Sequence, residues 1–294
     1  MPLKVAMHGM CSMAFQFLNR SLHLPLSSAE IAQRLSGVHD EWLMTDAERA
    51  TLHSLLTTLK PQCAIEVGVY RAGSLAILSA LSQKVYALDK DPACESAYAS
   101  RFPNVEFITG LSQDTLPNLI DRMQSSGEAL DFVLIDADHS VEGVRRDINN
   151  VLRFRPHWPL YIIMHDSFNP ECRRGIIQAN WSDNPHAHMV EVDFVVGRFI
   201  TQEEGDSNRQ MWCGFALGVL LPEKRSGDLI MRENESLAYQ SALRHSVYRF
   251  HKWWNPFYSF PQAANWARRA AAQFLRTHAP QLFETLKVYR SRSN

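Results

Sequence analysis

Little in this sequence points to export or to a membrane. A spanning helix needs ~20 consecutive apolar residues. The apolar stretch nearest the start, Val5 to Leu18, is interrupted by His8, Cys11, Ser12 and Gln16, and no small-residue cleavage site follows it. Neither a signal peptide nor a membrane span is expected. The five cysteines (Cys11, Cys63, Cys94, Cys172, Cys213) are an odd, scattered set with no C-x-x-C pair, which argues for reduced thiols in a cytoplasmic protein, most simply as small buried hydrophobes. Internal repeats and low-complexity segments are also missing. What remains is a 294-residue chain with 46% hydrophobic residues, enough for a packed core.

The net charge of −1 conceals a division. Residues 237–294 hold nine Lys/Arg and one acid, Glu284, for a net +8, while the first 236 residues carry 21 basic and 30 acidic side chains. A basic tail suits an anionic counterpart: a membrane surface, a nucleic acid, or the acidic remainder of this chain or of a second copy.

Two capping boxes announce N-terminal helices, Ser27-x-x-Glu30 and Thr45-x-x-Glu48. In the second, Leu52, Leu55, Leu56 and Leu59 recur at helical spacing until Pro61. Strand-like segments then alternate with helical ones. The strands are Cys63–Val67, Val85–Leu88, Val105–Ile108, Phe132–Ile135, Leu160–Met164, Met189–Val195 and Phe215–Leu221. Helices are expected from Gly73, after Pro92, from Gln113, from Val141 to Leu152 and near Arg173–Trp181. This alternation predicts right-handed βαβ crossovers, hence a doubly wound, mostly parallel, seven-stranded Rossmann-like α/β sheet. Three regions follow: an N-terminal helical cap (1–60), a ligand-binding α/β domain (61–222) and a basic, aromatic-rich helical tail (223–294). In such sheets ligands collect beyond the carboxyl ends of the strands.

At the first strand end, Glu66-Val67-Gly68-Val69-Tyr70-Arg71-Ala72-Gly73-Ser74 reads as strand, glycine turn and helix start. Gly68 to Gly73 has the spacing of a phosphate loop, but Ser74 and Leu75 stand where a lysine and a hydroxyl belong. A dinucleotide loop needs a middle glycine so that backbone can approach pyrophosphate, and Tyr70 occupies that position. A phosphate-free cofactor with a cationic amino-acid moiety would tolerate Tyr70 and account for the acid at Glu66. Twenty-three residues on, Asp89 ends the second strand, where it can accept hydrogen bonds from ribose or cap the next helix. Thr109-Gly110-Leu111-Ser112-Gln113-Asp114 follows the third.

With these three strand ends in register, residues 61–222 resemble a class I S-adenosylmethionine-dependent methyltransferase. The nearest branch is that of the O-methyltransferases, including catechol and caffeoyl-CoA enzymes, macrolide-sugar enzymes and cephalosporin-biosynthesis relatives. The resemblance implies S-adenosylmethionine as cofactor, held by Glu66, Gly68, Tyr70, Gly73, Ser74, Asp89, Leu111, Ser112 and Asp136. It says nothing of the tail.

The fourth strand ends in Asp136-Ala137-Asp138-His139 and the fifth in His165-Asp166, so five titratable groups should surround one crevice. An aliphatic hydroxyl must lose its proton as it takes a methyl group. A base such as histidine can remove it, or a divalent metal can acidify it. The resemblance carries His139 over as base, with Asp138 as second candidate, and Asp136 and Asp166 as metal ligands. His165 departs from the family, placing a softer imidazole where relatives have a carboxylate, so either Mg²⁺ or another divalent ion is open. Arg145, Arg146 and Asp147 read as the solvated face of a helix, and His186 and His188 as loop residues.

The expected activity is methyl transfer to a hydroxyl of a sugar, glycoconjugate or secondary metabolite. An NAD-dependent oxidoreductase and a non-catalytic S-adenosylmethionine-binding accessory protein are the alternatives. In the tail, Trp253, Trp254, Phe257, Tyr258, Phe260 and Trp266 lie among arginines. This suits contact with the rest of this chain or with a second copy first, then a peripheral contact at the inner membrane surface; no nucleic-acid-reading module is present.

Overall fold

The protein is described by a computed structural model covering residues 42–200 and 209–249. The Ser27 capping box and the aromatic part of the tail lie outside the described residues. By internal contacts the chain divides into two compact units, Met1–Gln240 and Ser241–Asn294.

Helix α1 (Asp46–Leu59) opens on the expected reciprocal box: Thr45 Oγ1 accepts from the Glu48 amide, and Glu48 Oε2 accepts from the Thr45 amide at 2.6 Å. Lys60, in the left-handed region with φ 47°, closes it just before Pro61. Strands and helices then alternate: β1 (Cys63–Val67), α2 (Gly73–Leu81), β2 (Lys84–Asp89), α3 (Ala93–Tyr98), β3 (Val105–Thr109), α4 (Ser112–Ser126), β4 (Phe132–Ile135), α5 (Val141–Val151), β5 (Leu160–His165) and α6 (Pro170–Gln178). After α6 come β6 (Ala187–Val195), β7 (Arg198–Ile200), β8 (Gln210–Trp212), β9 (Phe215–Leu220), β10 (Ile230–Arg232) and α7 (Ser236–Arg244).

The main sheet runs β3-β2-β1-β4-β5-β9-β6-β10, with β9 antiparallel to both neighbours and every other pair parallel. Chain order reverses between β1 and β4, so their carboxyl ends frame the crevice where a ligand fits. Both strands are buried throughout, as strands covered on two faces must be. On one face Leu116, Ile120, Val144, Ile148 and Ile176 of α4, α5 and α6 pack on the sheet. On the other, α1 contributes Leu52 and Leu56, and α2 is buried over its whole length.

The mostly parallel α/β sheet agrees with the alternation in the sequence, and the structure adds detail. β10 extends the sheet to eight strands, and β7 and β8 form a separate antiparallel ribbon between β6 and β9. Helix α6 begins earlier than Arg173 because Asn169 caps it, accepting from the Glu171 amide, and Pro170 fits the first turn. Trp181 falls in a short 3₁₀ turn, where its indole N–H donates to the Ile176 carbonyl. Arg145 pairs with exposed Glu142, as a solvated face implies. Asp147 departs from that reading: it is buried on the inward stripe of α5 beside Val144, Ile148 and Val151, and burial pushes its carboxyl up to about 6. His186 and His188 each bond a backbone carbonyl, of Leu221 and Glu223. No described helix is long and apolar enough to cross a membrane.

Candidate active site

The turn after β1 is tight for a reason that can be stated in ångströms. Gly68 has φ +96°, and a Cβ there would lie 2.2 Å from the Asp136 carbonyl oxygen. The ends of β1 and β4 touch at this point, fixed by the Asp136 amide donating to the Val67 carbonyl at 2.8 Å. Tyr70 (φ 49°) and Ala72 (φ 59°) are non-glycine residues in the left-handed region, an uncommon conformation that is held only when neighbours enforce it. Asp89 supplies that enforcement. Its Oδ2 accepts from the amides of Val69 (2.8 Å) and Tyr70 (3.0 Å), and its Oδ1 from Asp91 (2.9 Å). Burial opposes ionisation of Asp89, but these three amides outweigh it and hold the carboxyl below its usual range.

Glu66 is fully buried one turn below. Its Oε1 accepts from the Ser74 hydroxyl at the start of α2, while its Oε2 has no hydrogen-bond partner. Burial pushes this carboxyl up to about 8, against the lowering effect of Ser74 and with Asp136 and Asp89 adding to the rise. Beyond β3, Leu111 is exposed at the start of α4, and Ser112 bonds the Asp147 carboxyl. Tyr70 is exposed at the rim of the glycine turn.

At the ends of β4 and β5, four side chains close a ring of alternating nitrogen and oxygen. His165 Nδ1 lies 2.9 Å from Asp136 Oδ1, which lies 3.5 Å from His139 Nε2; that nitrogen is 2.9 Å from Asp166 Oδ2, itself 3.5 Å from His165 Nδ1. Donors ~2.1 Å from one cation stand ~3.0 Å apart at right angles and ~3.4 Å apart in a tetrahedron. Asp136, His165 and Asp166, whose ligand atoms all lie within 4.8 Å of one another, therefore suit a single divalent ion, with His139 outside that group, and an imidazole beside two carboxylates favours Zn, Fe or Mn over Mg.

With protons in place of a cation, the same ring is a double ion pair. Hydrogen bonds to Asp136 and Asp166 push His139 up to about 10 against the effect of burial. Burial works against charge on His165 as well, but the Asp136 and Asp166 carboxylates raise it well above its ordinary value. Asp136, whose burial alone would raise it, is brought down to about 2 by the two imidazoles. His139 is thus not a free base at neutral pH while it keeps Asp166 as a partner.

Asp138, the second candidate base, points elsewhere. Its Oδ1 accepts from the Ser140 amide, and its carboxyl packs where a Cβ on Gly143 would stand, 2.1 Å from Cγ. It shapes the start of α5 beside the Ser140 cap, so the ring forms without it. Asp166 has φ +57°, a left-handed strain shared by Cys213 (φ 65°) across from it, and the Cys213 amide donates to Asp166 Oδ1 at 2.5 Å. Trp212 stands edge-on to His139 with centroids 5.4 Å apart, forming one wall of the crevice from outside the main sheet.

One residue of the site carried no chemical signal in the sequence. Glu48 was legible only as the capping-box acid of α1, yet its Oε1 lies 3.1 Å from His165 Nε2 and accepts from the Gly214 amide at 2.6 Å. Burial raises its carboxyl, but His165 and Thr45 outweigh that and hold it below the usual range.

Residues 65–167 match the family model described as a methyltransferase domain, a span from β1 to just beyond β5 that takes in every strand end described above. Solved structures similar to this chain include cofactor-bound Rv0187 from MTB, at 18% identity and TM-score 0.45, covering 69% of this chain and 94% of that one. An O-methyltransferase from Bacillus cereus in complex with SAH is 15% identical at TM-score 0.44, covering 68% and 93%. The O-methyltransferase TomG from Streptomyces achromogenes, in complex with SAM, is 15% identical at TM-score 0.45, with the same coverage. Identities and scores this low carry nothing about chemistry over to this chain. No curated protein matches it.

Proposed function

We propose that this chain, whose residues 65–167 match a methyltransferase-domain family model, transfers the methyl group of S-adenosylmethionine to a hydroxyl oxygen with the help of a divalent cation. The observation that carries the reading is the ring Asp136–His165–Asp166–His139, set beside the Gly68 turn at the point where the sheet reverses order.

The transfer is an in-line displacement: the acceptor oxygen attacks the methyl carbon, the C–S bond breaks with its electron pair going to sulfur, and the hydroxyl proton leaves. Glu66 would offer its unpartnered, buried oxygen to the cofactor's ammonium, and the N–H groups at the start of α2 would face its carboxylate. Asp89 keeps the turn in shape and has lone pairs left for ribose. Tyr70 and Leu111, both exposed, would flank a bound nucleoside. Asp136, His165 and Asp166 would hold the cation, which would acidify a hydroxyl brought within its reach. His139, the more exposed imidazole, would then shuttle the released proton towards solvent past Trp212.

The acceptor class proposed is a sugar, a glycoconjugate or a secondary metabolite. Tyr70 in the turn disfavours NAD, since its side chain stands where pyrophosphate needs backbone. We also propose a cytoplasmic location, with the basic tail meeting a second copy or an anionic membrane surface. Incubation with methyl-labelled S-adenosylmethionine and a panel of hydroxylated acceptors, with and without a chelator, tests the function. Label should pass to oxygen, and chelation should stop it; transfer to nitrogen or carbon, or none at all, overturns the reading.

A further inference from the structure

A capping-box glutamate ordinarily needs no burial, because its task at the helix start is performed equally well in water. Glu48 is completely buried. A carboxylate taken out of water is costly unless each oxygen finds a donor, and here both do. Oε2 accepts from Thr45 N at 2.6 Å, and Oε1 from Gly214 N at 2.6 Å, so the group is clamped between α1 and the turn before β9.

Clamped there, Oε1 sits 3.1 Å from His165 Nε2. The approach falls outside hydrogen-bond geometry, so Nε2 is left without a hydrogen-bond partner and Glu48 Oε1 is the carboxylate oxygen beside it. Cys213 Sγ, within 4.8 Å, is the one competing group, and the edge of Phe215, at a centroid distance of 5.7 Å, closes another side. The opposite ring nitrogen, Nδ1, faces Asp136 and Asp166.

We infer that Glu48 is a positioning residue: its carboxylate takes the Nε2–H of His165 and so keeps Nδ1 presented to the ring of Asp136, Asp166 and His139. The consequence for a cation rests on the reading of that ring given above, whereas the orientation of His165 does not. Carboxylates behind a ligating histidine fix its tautomer and raise its basicity, and their loss typically weakens metal binding ~10–100-fold. Helix α1, which contributes nothing else to the ring, is thereby made part of the site.

The test compares full-length wild-type protein with Glu48→Gln and Thr45→Ala, reading two signals. The first is the long-range ¹H–¹⁵N spectrum of the histidine rings in metal-free protein, with His165 assigned by its loss in His165→Gln. The second is the Kd for Co²⁺ followed by visible absorption. We expect a slowly exchanging Nε2–H on His165 in wild type and Thr45→Ala, lost or shifted in Glu48→Gln, with Co²⁺ bound about 10–100-fold more weakly by Glu48→Gln alone. An unchanged His165 spectrum with Co²⁺ affinity within about twofold of wild type overturns the inference, as does an equal loss in Thr45→Ala, which would make Glu48 a helix anchor only. If wild type binds no Co²⁺, the cation reading fails while the spectrum still decides the role of Glu48. Should Glu48→Gln not fold, Glu48→Asp, with its charge withdrawn by one methylene, takes its place under the same criteria.

Discussion

Glu66 gives the most quantitative expectation. Buried at the end of β1, with its carboxyl raised to about 8 from 4.5, it is protonated in the folded protein at neutral pH. A cofactor ammonium beside Oε2 would demand the ionised form, so binding must expel a proton. At pH 7, one unit below that pKa, the cost of ionisation is about 1.4 kcal/mol. The affinity for S-adenosylmethionine should therefore rise by up to about tenfold per pH unit between pH 6 and 8 and level off above. Calorimetry in buffers of differing ionisation enthalpy should count close to one proton released at pH 7. Glu66→Gln should bind more weakly at pH 8.5, lose the pH dependence and release nothing.

The same shift acts on stability. A carboxyl whose folded pKa exceeds its unfolded one stabilises the fold fully below about 4.5, and that contribution is lost as pH rises to about 8. Wild type should weaken across this window relative to Glu66→Gln, by no more than about 5 kcal/mol in total. A Kd flat from pH 6 to 8, with no proton release, would refute the placement of Glu66 against the ammonium.

The other expectations are simpler. His139→Ala should lower the methyl-transfer rate by ~10²-fold or more, while Asp138→Ala should chiefly cost about 1 kcal/mol in a denaturant melt through loss of its turn bond to Ser140; equal rate losses would restore Asp138 as the base. Gly68→Ala puts a methyl group into the Asp136 carbonyl at a residue with φ +96°. It should displace the β4 end and abolish cofactor binding, and a variant with normal binding would show the contact to be compliant. Stripping divalent ions should suppress turnover, with Mn²⁺, Co²⁺ or Zn²⁺ restoring it better than Mg²⁺, given the imidazole donor of His165; undiminished activity after chelation would remove the cation from the mechanism.

The sheet was readable because its central strands are buried on both faces and announce themselves as short apolar runs ending in Gly68, Asp89, Asp136 or His165. Strand direction has no such signature, so antiparallel β9 reads like its parallel neighbours. β7, β8 and β10 are three residues each, too short for any period to register. The ring was legible in part, since Asp136, His139, His165 and Asp166 follow adjacent strands. Asp138 sits in the same motif, but the bare backbone at Gly143 lets its carboxyl fold onto the start of α5, a local choice that spacing does not report. Asp147 interrupts an otherwise apolar stripe, and a charged residue there looks solvated until the packing around Ser112 is seen. Glu48 lies 117 residues before His165, and only the fold brings them together.

All of this depends on the crevice between β1 and β4 taking S-adenosylmethionine. Calorimetric titration of the full chain with S-adenosylhomocysteine and, separately, NAD⁺ tests that most directly. One-to-one binding of the sulfur ligand, abolished by Gly68→Ala and absent for NAD⁺, is the result expected. No heat with S-adenosylhomocysteine, or saturable binding of NAD⁺ in its place, would contradict it.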